Sequence, residues 1–135
     1  MIEYVTSAAG VSEDDLEGFF VGWPRRPSPA THLRLLHGSE HVVLARDESG
    51  RVVGFVTAVG DGVLTAFVPL LEVRPEHQGS GIGTELVRRV LELLRGRYSV
   101  DLVCDEELVS FYERLGMRRL VGMGLRDRTA LDVQS

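Results

Sequence analysis

The sequence predicts a mixed α/β (α+β) fold, with one sheet flanked by helices in a single domain over residues 1–135. Three observations carry this reading. Runs rich in β-branched residues, separated by short Gly/Asp turns, dominate the middle of the chain. Amphipathic helical patterns lie before and after them. The order of elements is strand, two helices, three strands, then strand–helix–strand–helix–strand, so the chain does not alternate as a doubly wound sheet does. A chain of 135 residues with 44% hydrophobic residues is long and apolar enough for one core.

The elements follow in order. Ile2 to Thr6 reads as a short strand. Ser12 reads as a helix N-cap with Asp15 three residues on, and Leu16, Phe19 and Phe20 at i, i+3 and i+4 predict one buried helical face. Gly22 to Pro29 holds three prolines in six residues and reads as a loop. Ser28 and Pro29 then start a helix that should run to about His37, with Gly38 closing it. His41–Arg46 and Arg51–Val59 are strands joined through Asp47-Glu48-Ser49-Gly50, and Gly60-Asp61-Gly62 turns into a third, Val63–Val73. That strand contains Pro69, which cannot donate to a ladder; its apolar flanks favour a bulge over an edge.

Gly81 to Arg95 has the widest apolar stripe, formed by Ile82, Leu86, Val87, Val90, Leu91, Leu93 and Leu94, and Gly96 ends it. Tyr98–Cys104 reads as a buried strand. Asp105 then begins a helix whose face is Leu108, Phe111, Tyr112 and Leu115, closed by Gly116. A last strand is expected from Met117 to Leu125, and the tail from Arg126 to Ser135 is polar.

Composition narrows the function. A net charge of −5 argues against nucleic acid as a partner, although backbone donors can still hold one anion. No apolar run of about 20 residues suggests a membrane span, and Met1 to Val5 does not read as a signal peptide. The single cysteine, Cys104, fits a cytoplasmic protein and reads as a small buried hydrophobe. His32, His37, His41 and His77 lack metal-ligand spacing, so no metal is expected; His32 and His37 read as surface residues of one helix.

The informative segment runs from Leu71 to Thr84. A strand ends, three glycines stand at alternate positions, and a long helix begins. Glycines admit positive φ and close approach, and the helix start adds unpaired N–H groups, so the turn can cradle a pyrophosphate. It fits neither the P-loop, which needs a lysine, nor the dinucleotide fingerprint, because it reads G-x-G-x-G from Gly79 to Gly83. The alternative is a plain strand-to-helix connection. A glycine in the first helical turn costs about 1 kcal/mol against alanine, and the chain carries two, Gly81 and Gly83, which favours a ligand.

Gln78-Gly79-Ser80-Gly81-Ile82-Gly83 resembles the Q/R-x-x-G-x-G/A signature of the GNAT superfamily of acyl-CoA-dependent N-acetyltransferases. Leu71 to Pro75 resembles its Leu-x-Val-x-Pro lead-in, and Phe111 to Met117 resembles its F-Y-x-x-L-G-F segment. The resemblance spans about Val42 to Leu125. It implies a mixed, mostly antiparallel sheet with a bulged, splayed central strand pair, acetyl-CoA as co-substrate, and frequent homodimers.

Residue by residue, it implies that the amides of Gln78, Gly79, Ser80, Gly81, Ile82, Gly83 and Thr84 bind the pyrophosphate. Leu71, Glu72 and Val73 would pair with the pantetheine arm. Tyr112, which periodicity alone reads as a core residue, is implied as the acid that protonates the thiolate leaving group. Phe111 packs beside the cofactor or in the core. Asp105 stands where many relatives carry an asparagine on the pantetheine; it reads as an N-cap or as that contact. Glu72 is either the general base or turned to the other face against an arginine. Phe67 stands where some relatives place a catalytic glutamate. The acceptor, a small-molecule or peptide amine, is expected near Trp23, Arg25 and Arg26. A non-catalytic acyl-CoA-binding or sensor module on the same fold is the competing reading.

Overall fold

The computed structural model describes residues 1–131; the last residues of the polar tail, 132–135, lie outside the described residues. Asp47 Oδ1 accepts the amides of Ser49 at 2.9 Å and Arg51 at 3.0 Å, and Gly50 holds φ +88°, so the Asp47–Gly50 turn joins β2 (His41–Arg46) to β3 (Val52–Gly60). Asp61 does the same at the next turn. Its Oδ1 accepts the amides of Val63, Leu64 and Thr65 before β4 (Thr65–Val73) begins. The edge strands are β1 (Glu3–Val5), antiparallel to β2, and β5 (Ser99–Asp101), parallel to β4. The sheet order is β1-β2-β3-β4-β5, so only the β4–β5 pair is parallel.

Leu70 pairs with Thr57 and Phe67 with Val59, so Val68 and Pro69 together oppose Ala58. This is the bulge that Pro69 predicts, and it has a second effect. β4 and β5 pair only over Thr65↔Ser99, Ala66↔Val100 and Phe67↔Asp101. Their ladder stops where the bulge starts, and beyond it a slot opens between the strands.

The apolar stripe of α2 (Ile82–Leu93) and the Leu94 that caps it cover one face of the sheet, with Ile82, Leu86, Val90 and Leu94 against Val43, Val53, Ala66 and Val68. Each such buried side chain stabilises the fold by about 1.5–3 kcal/mol. The other face packs Leu16, Phe19, Phe20 and Leu36 of α1 (Pro29–Gly38) against Val42, Leu44, Val52 and Phe55.

Several expectations need correction. The helix from Ser12 stops after one 3-10 turn, Glu13–Leu16, because Gly18 at φ +91° and Phe20 at φ +64° break it; Phe19 and Phe20 are buried from an irregular segment. Gly38 is the last residue of α1 and is not left-handed; the Ser39 hydroxyl caps instead, donating to the Leu35 carbonyl at 2.7 Å. His32 is fully buried among Phe19, Phe20 and Phe55, not on the surface. The strand at Tyr98–Cys104 shortens to Ser99–Asp101, and Cys104 is exposed, because the splayed end of β5 has no partner. Met117–Leu125 forms no strand.

Candidate active site

Beyond Val73, Pro75–His77 makes one 3-10 turn, Gly79 and Gly81 take φ +83° and +89°, and α2 starts at Ile82. Left-handed glycines on either side of Ser80 turn successive N–H groups outward. Among the described residues, the amides of residues 79–84 carry no hydrogen bond; the first helical bond is Glu85 N to the Gly81 carbonyl at 3.1 Å. No atom lies within 4 Å of a Cβ built on Gly79 or Gly81, so an anion can approach the backbone there. Ser80 Oγ donates to the His77 carbonyl at 2.7 Å and fixes the turn.

The slot is lined by backbone as well. The Arg74 amide donates to the Val53 carbonyl at 2.8 Å, so Arg74 and Glu72 turn their peptide groups toward β3. By alternation, Leu71 and Val73 turn theirs into the slot. Gln78 Nε2 donates to the Val73 carbonyl at 3.0 Å, tying the glycine turn to the strand.

A cavity of about 600 Å³ lies between residues 18–23 and Pro69–Gln78. Glu72, Trp23, Phe19 and Val21 line it. Glu72 Oε1 accepts the Phe20 amide at 2.8 Å. Burial pushes the Glu72 carboxyl above its ordinary pKa, while the Phe20 amide and Arg26 pull it down. Glu72 thus lies at the cavity wall beside residues 18–23, with Arg26 near enough to act on it. Trp23 packs edge-on against Phe20, centroids 5.0 Å apart. Arg25 and Arg26 stand outside the lining, and Arg26 acts on Glu72 through space.

α3 (Val109–Glu113) brings up the remaining residues. A Cβ on Gly83 would lie 3.8 Å from both Phe111 Cζ and Val73 Cγ2, so the Phe111 ring sits where the turn meets the strand end. Tyr112 packs edge-on against Phe111 at 4.9 Å and is 9% exposed. Burial, reinforced by Cys104, raises its pKa, so the phenol stays protonated at neutral pH. Its hydroxyl is not among the sealed, unpartnered polar atoms of the described residues. Asp105 precedes a 3-10 turn, Glu106–Leu108, without a side-chain cap bond. Asp105, Phe111 and Tyr112 do not line the cavity; they stand beyond the splayed end of β5.

Arg74 escapes a reading of the sequence alone. It is buried, donates to the carbonyls of Val52 at 2.7 Å, Glu17 at 2.6 Å and Asp15 at 3.0 Å, and lies 4.3 Å over the Phe19 ring. It pins the irregular 15–20 segment, and so one cavity wall, to the strand that carries Glu72. The available signal is its spacing: i and i+2 on a strand share a face.

The fold is shared with solved acetyltransferase structures. A Deinococcus radiodurans R1 protein described as a candidate acetyltransferase superposes with TM-score 0.91 at 47% identity, over 98% of this chain and 91% of that one. A GNAT-family acetyltransferase from Streptococcus pneumoniae TIGR4 gives 0.78 at 30% identity, over 95% and 99%. In sequence, serotonin N-acetyltransferase 2 of Oryza sativa subsp. japonica, a chloroplastic protein by its name, is 37% identical over 82% of this chain. The chain spans 58% of that rice protein and 68% of an uncharacterized ycf52 N-acetyltransferase of Porphyra purpurea, 29% identical over 84% of this chain. Fold and relatives define the class: an N-acetyltransferase enzyme. The model of the acetyltransferase (GNAT) family matches residues 8–117, and the chain belongs to that family. Its members generally draw the acyl group from acetyl-CoA. Among the described residues no helix is long and apolar enough to cross a membrane.

Proposed function

We propose that this chain moves an acetyl group from acetyl-CoA to a primary amine by direct attack in a ternary complex. One observation carries the reading: six consecutive amides, residues 79–84, left without partners at the open start of a helix. They hold the pyrophosphate; the Gln78 amide, expected among them, instead donates to the Pro75 carbonyl at 3.3 Å, and the Gln78 side chain braces the turn. The peptide groups of Leu71 and Val73 pair with the pantetheine arm as an added strand would, and Asp105 and Phe111 flank it.

The amine enters the cavity beside Trp23, with Arg25 and Arg26 at its rim. An ammonium passes one proton to the Glu72 carboxylate. The neutral nitrogen attacks the thioester carbonyl, forming C–N as C–S breaks. The Tyr112 hydroxyl protonates the departing sulfur, and the phenolate recovers a proton from the amide nitrogen as that nitrogen becomes neutral. The exposed, unpaired Cys104 suits a reducing compartment such as the cytoplasm.

Thiol release from acetyl-CoA with a panel of small amines and amine-terminated peptides tests this. Amine-dependent release is expected. Tight acetyl-CoA binding with no release for any amine would turn the reading toward a non-catalytic acyl-CoA-binding or sensor module.

A further inference from the structure

The cavity floor belongs to a longer strip of sheet. In the β3–β4 ladder Phe55 pairs with Glu72, Thr57 with Leu70 and Val59 with Phe67. Partners in an antiparallel ladder share a face, and so do residues two apart on a strand, so these side chains form one strip. At one end the strip is sealed: Phe55 is buried against Phe19, Phe20 and His32, and Thr57 is buried beside it. At the other end the cover is missing, and Val59 is 40% and Phe67 38% exposed. Glu72, Leu70 and Pro69 line the cavity, and Phe67 continues its floor outward. Apolar surface left open beside a cavity marks a place for a ligand.

Charge on this surface is sparse. Among the described residues that line the cavity, only Glu72 and Arg74 are charged. Arg74 is buried, and each nitrogen of its guanidinium already donates to a carbonyl, of Val52, Glu17 or Asp15. Gln78 Nε2 is held by the Val73 carbonyl. Glu72 is thus the one anionic anchor, and Phe19, Val21, Trp23 and Leu70 surround it with apolar and aromatic surface.

Such walls suit one positive charge on an apolar body. The hydroxyls of a sugar would lose water there and gain no hydrogen bonds in return. A second ammonium would find no second carboxylate in the cavity, and Arg26 stands near enough to Glu72 to repel it. Spacing sets the size of the body. Residues two apart on a strand lie about 7 Å from each other. A nitrogen at Glu72 on a short alkyl arm therefore carries a ring over Leu70, with the Trp23 indole beside it and the Phe67 ring at the outer end. Ring-to-ring contact adds to the burial.

Given the acetyl transfer proposed above, we infer that its acceptor is a primary monoamine whose short arm ends in an aromatic ring, selected by Phe67 and Trp23.

Trp23 is the single tryptophan of the chain, so its fluorescence reports on the cavity with or without turnover. Titrating phenethylamine into the full chain should change that emission saturably, at concentrations about tenfold or more below those that spermidine or glucosamine require. Thiol release from acetyl-CoA should rank the three amines in the same order by kcat/KM. Phe67→Ala should raise both the apparent Kd and the KM for phenethylamine about tenfold, with the KM for acetyl-CoA within about twofold of wild type. Circular dichroism should be unchanged, because the Phe67 side chain is already part-exposed. Saturable phenethylamine binding without thiol release from any amine would overturn the acetyl transfer and support the recognition. Spermidine or glucosamine bound or acetylated as well as phenethylamine would overturn the recognition while leaving the transferase intact. So would a Phe67→Ala variant indistinguishable from wild type.

Discussion

The Phe20 amide reaches Glu72 Oε1 at 2.8 Å only because Phe20 holds φ at +64°, a conformation that costs a non-glycine residue on the order of 1–2 kcal/mol. The strained residue orients the Glu72 carboxylate in the cavity wall. Replacing Glu72 by Gln keeps an acceptor for that amide but removes the proposed base. An amine acetylation rate reduced on the order of 100-fold is expected, with the melting temperature nearly unchanged. Because burial raises the Glu72 pKa, its carboxylate forms at a higher pH than an exposed one would. The acid limb of kcat/KM in the wild type should therefore lie above 4.5 and vanish in Glu72→Gln.

Tyr112→Phe removes the hydroxyl proposed to protonate the departing sulfur while keeping the ring packed on Phe111. Stopped assays should show kcat lowered by about 100-fold or more and KM for acetyl-CoA within about twofold. A fall in melting temperature with unchanged kcat would instead make Tyr112 a packing residue.

Gly79→Ala and Gly81→Ala each place a methyl group in empty space but on a left-handed backbone. Each should lower stability by about 1–2 kcal/mol. Acetyl-CoA affinity, measured by calorimetry, should fall about tenfold as the turn relaxes and its amides swing away. Affinity equal to wild type would release the turn from its binding role.

His32 has neither ring nitrogen hydrogen-bonded, and burial together with the nearby Arg74 lowers its pKa from 6.5 to about 4. Its unfolded form takes up a proton first as pH falls. The stability it lends is complete above pH 6.5, declines through the interval, and is gone near pH 4. The loss is about 3 kcal/mol. Urea titrations at several pH values should show that slope in the wild type, and His32→Leu should flatten it.

Arg74→Ala strips three carbonyls of their donor and unstacks Phe19. A stability loss of about 3–5 kcal/mol is expected, since bonds to a charged donor are strong and two of the freed carbonyls are partly buried. Hydrogen exchange should quicken first in residues 15–20. Arg74→Lys should recover little, because one ammonium cannot reach three divergent acceptors.

The turn and the bulge were legible because each rests on a backbone rule. Pro69 has no N–H to give a ladder, and alternate glycines before an apolar stripe mark an open helix start. His32 and Arg74 were not, because composition assigns such residues to the surface. Yet His32 lies four residues before the buried Leu36, and Arg74 lies two after Glu72, so periodicity taken through those neighbours would have placed each on the face it occupies. The helix drawn through Phe20 failed because Gly18 and a left-handed Phe20 serve the cavity at the expense of local regularity. The strand drawn at Met117–Leu125 has the right residues, but pairing is a property of two segments and cannot be read from one.

The extra residue at Val68–Pro69 does more than open a gap. It sets the phase of everything downstream, much as an inserted base shifts a reading frame. With one residue fewer there, Leu71 and Val73 would send their side chains where Glu72 and Arg74 now point, and their peptide groups would be consumed by β3. The carboxylate at the cavity, the unpaired peptide edge of β4 and the anchoring of the N-terminal wall would all be lost together, from a deletion that leaves each of those residues in the chain.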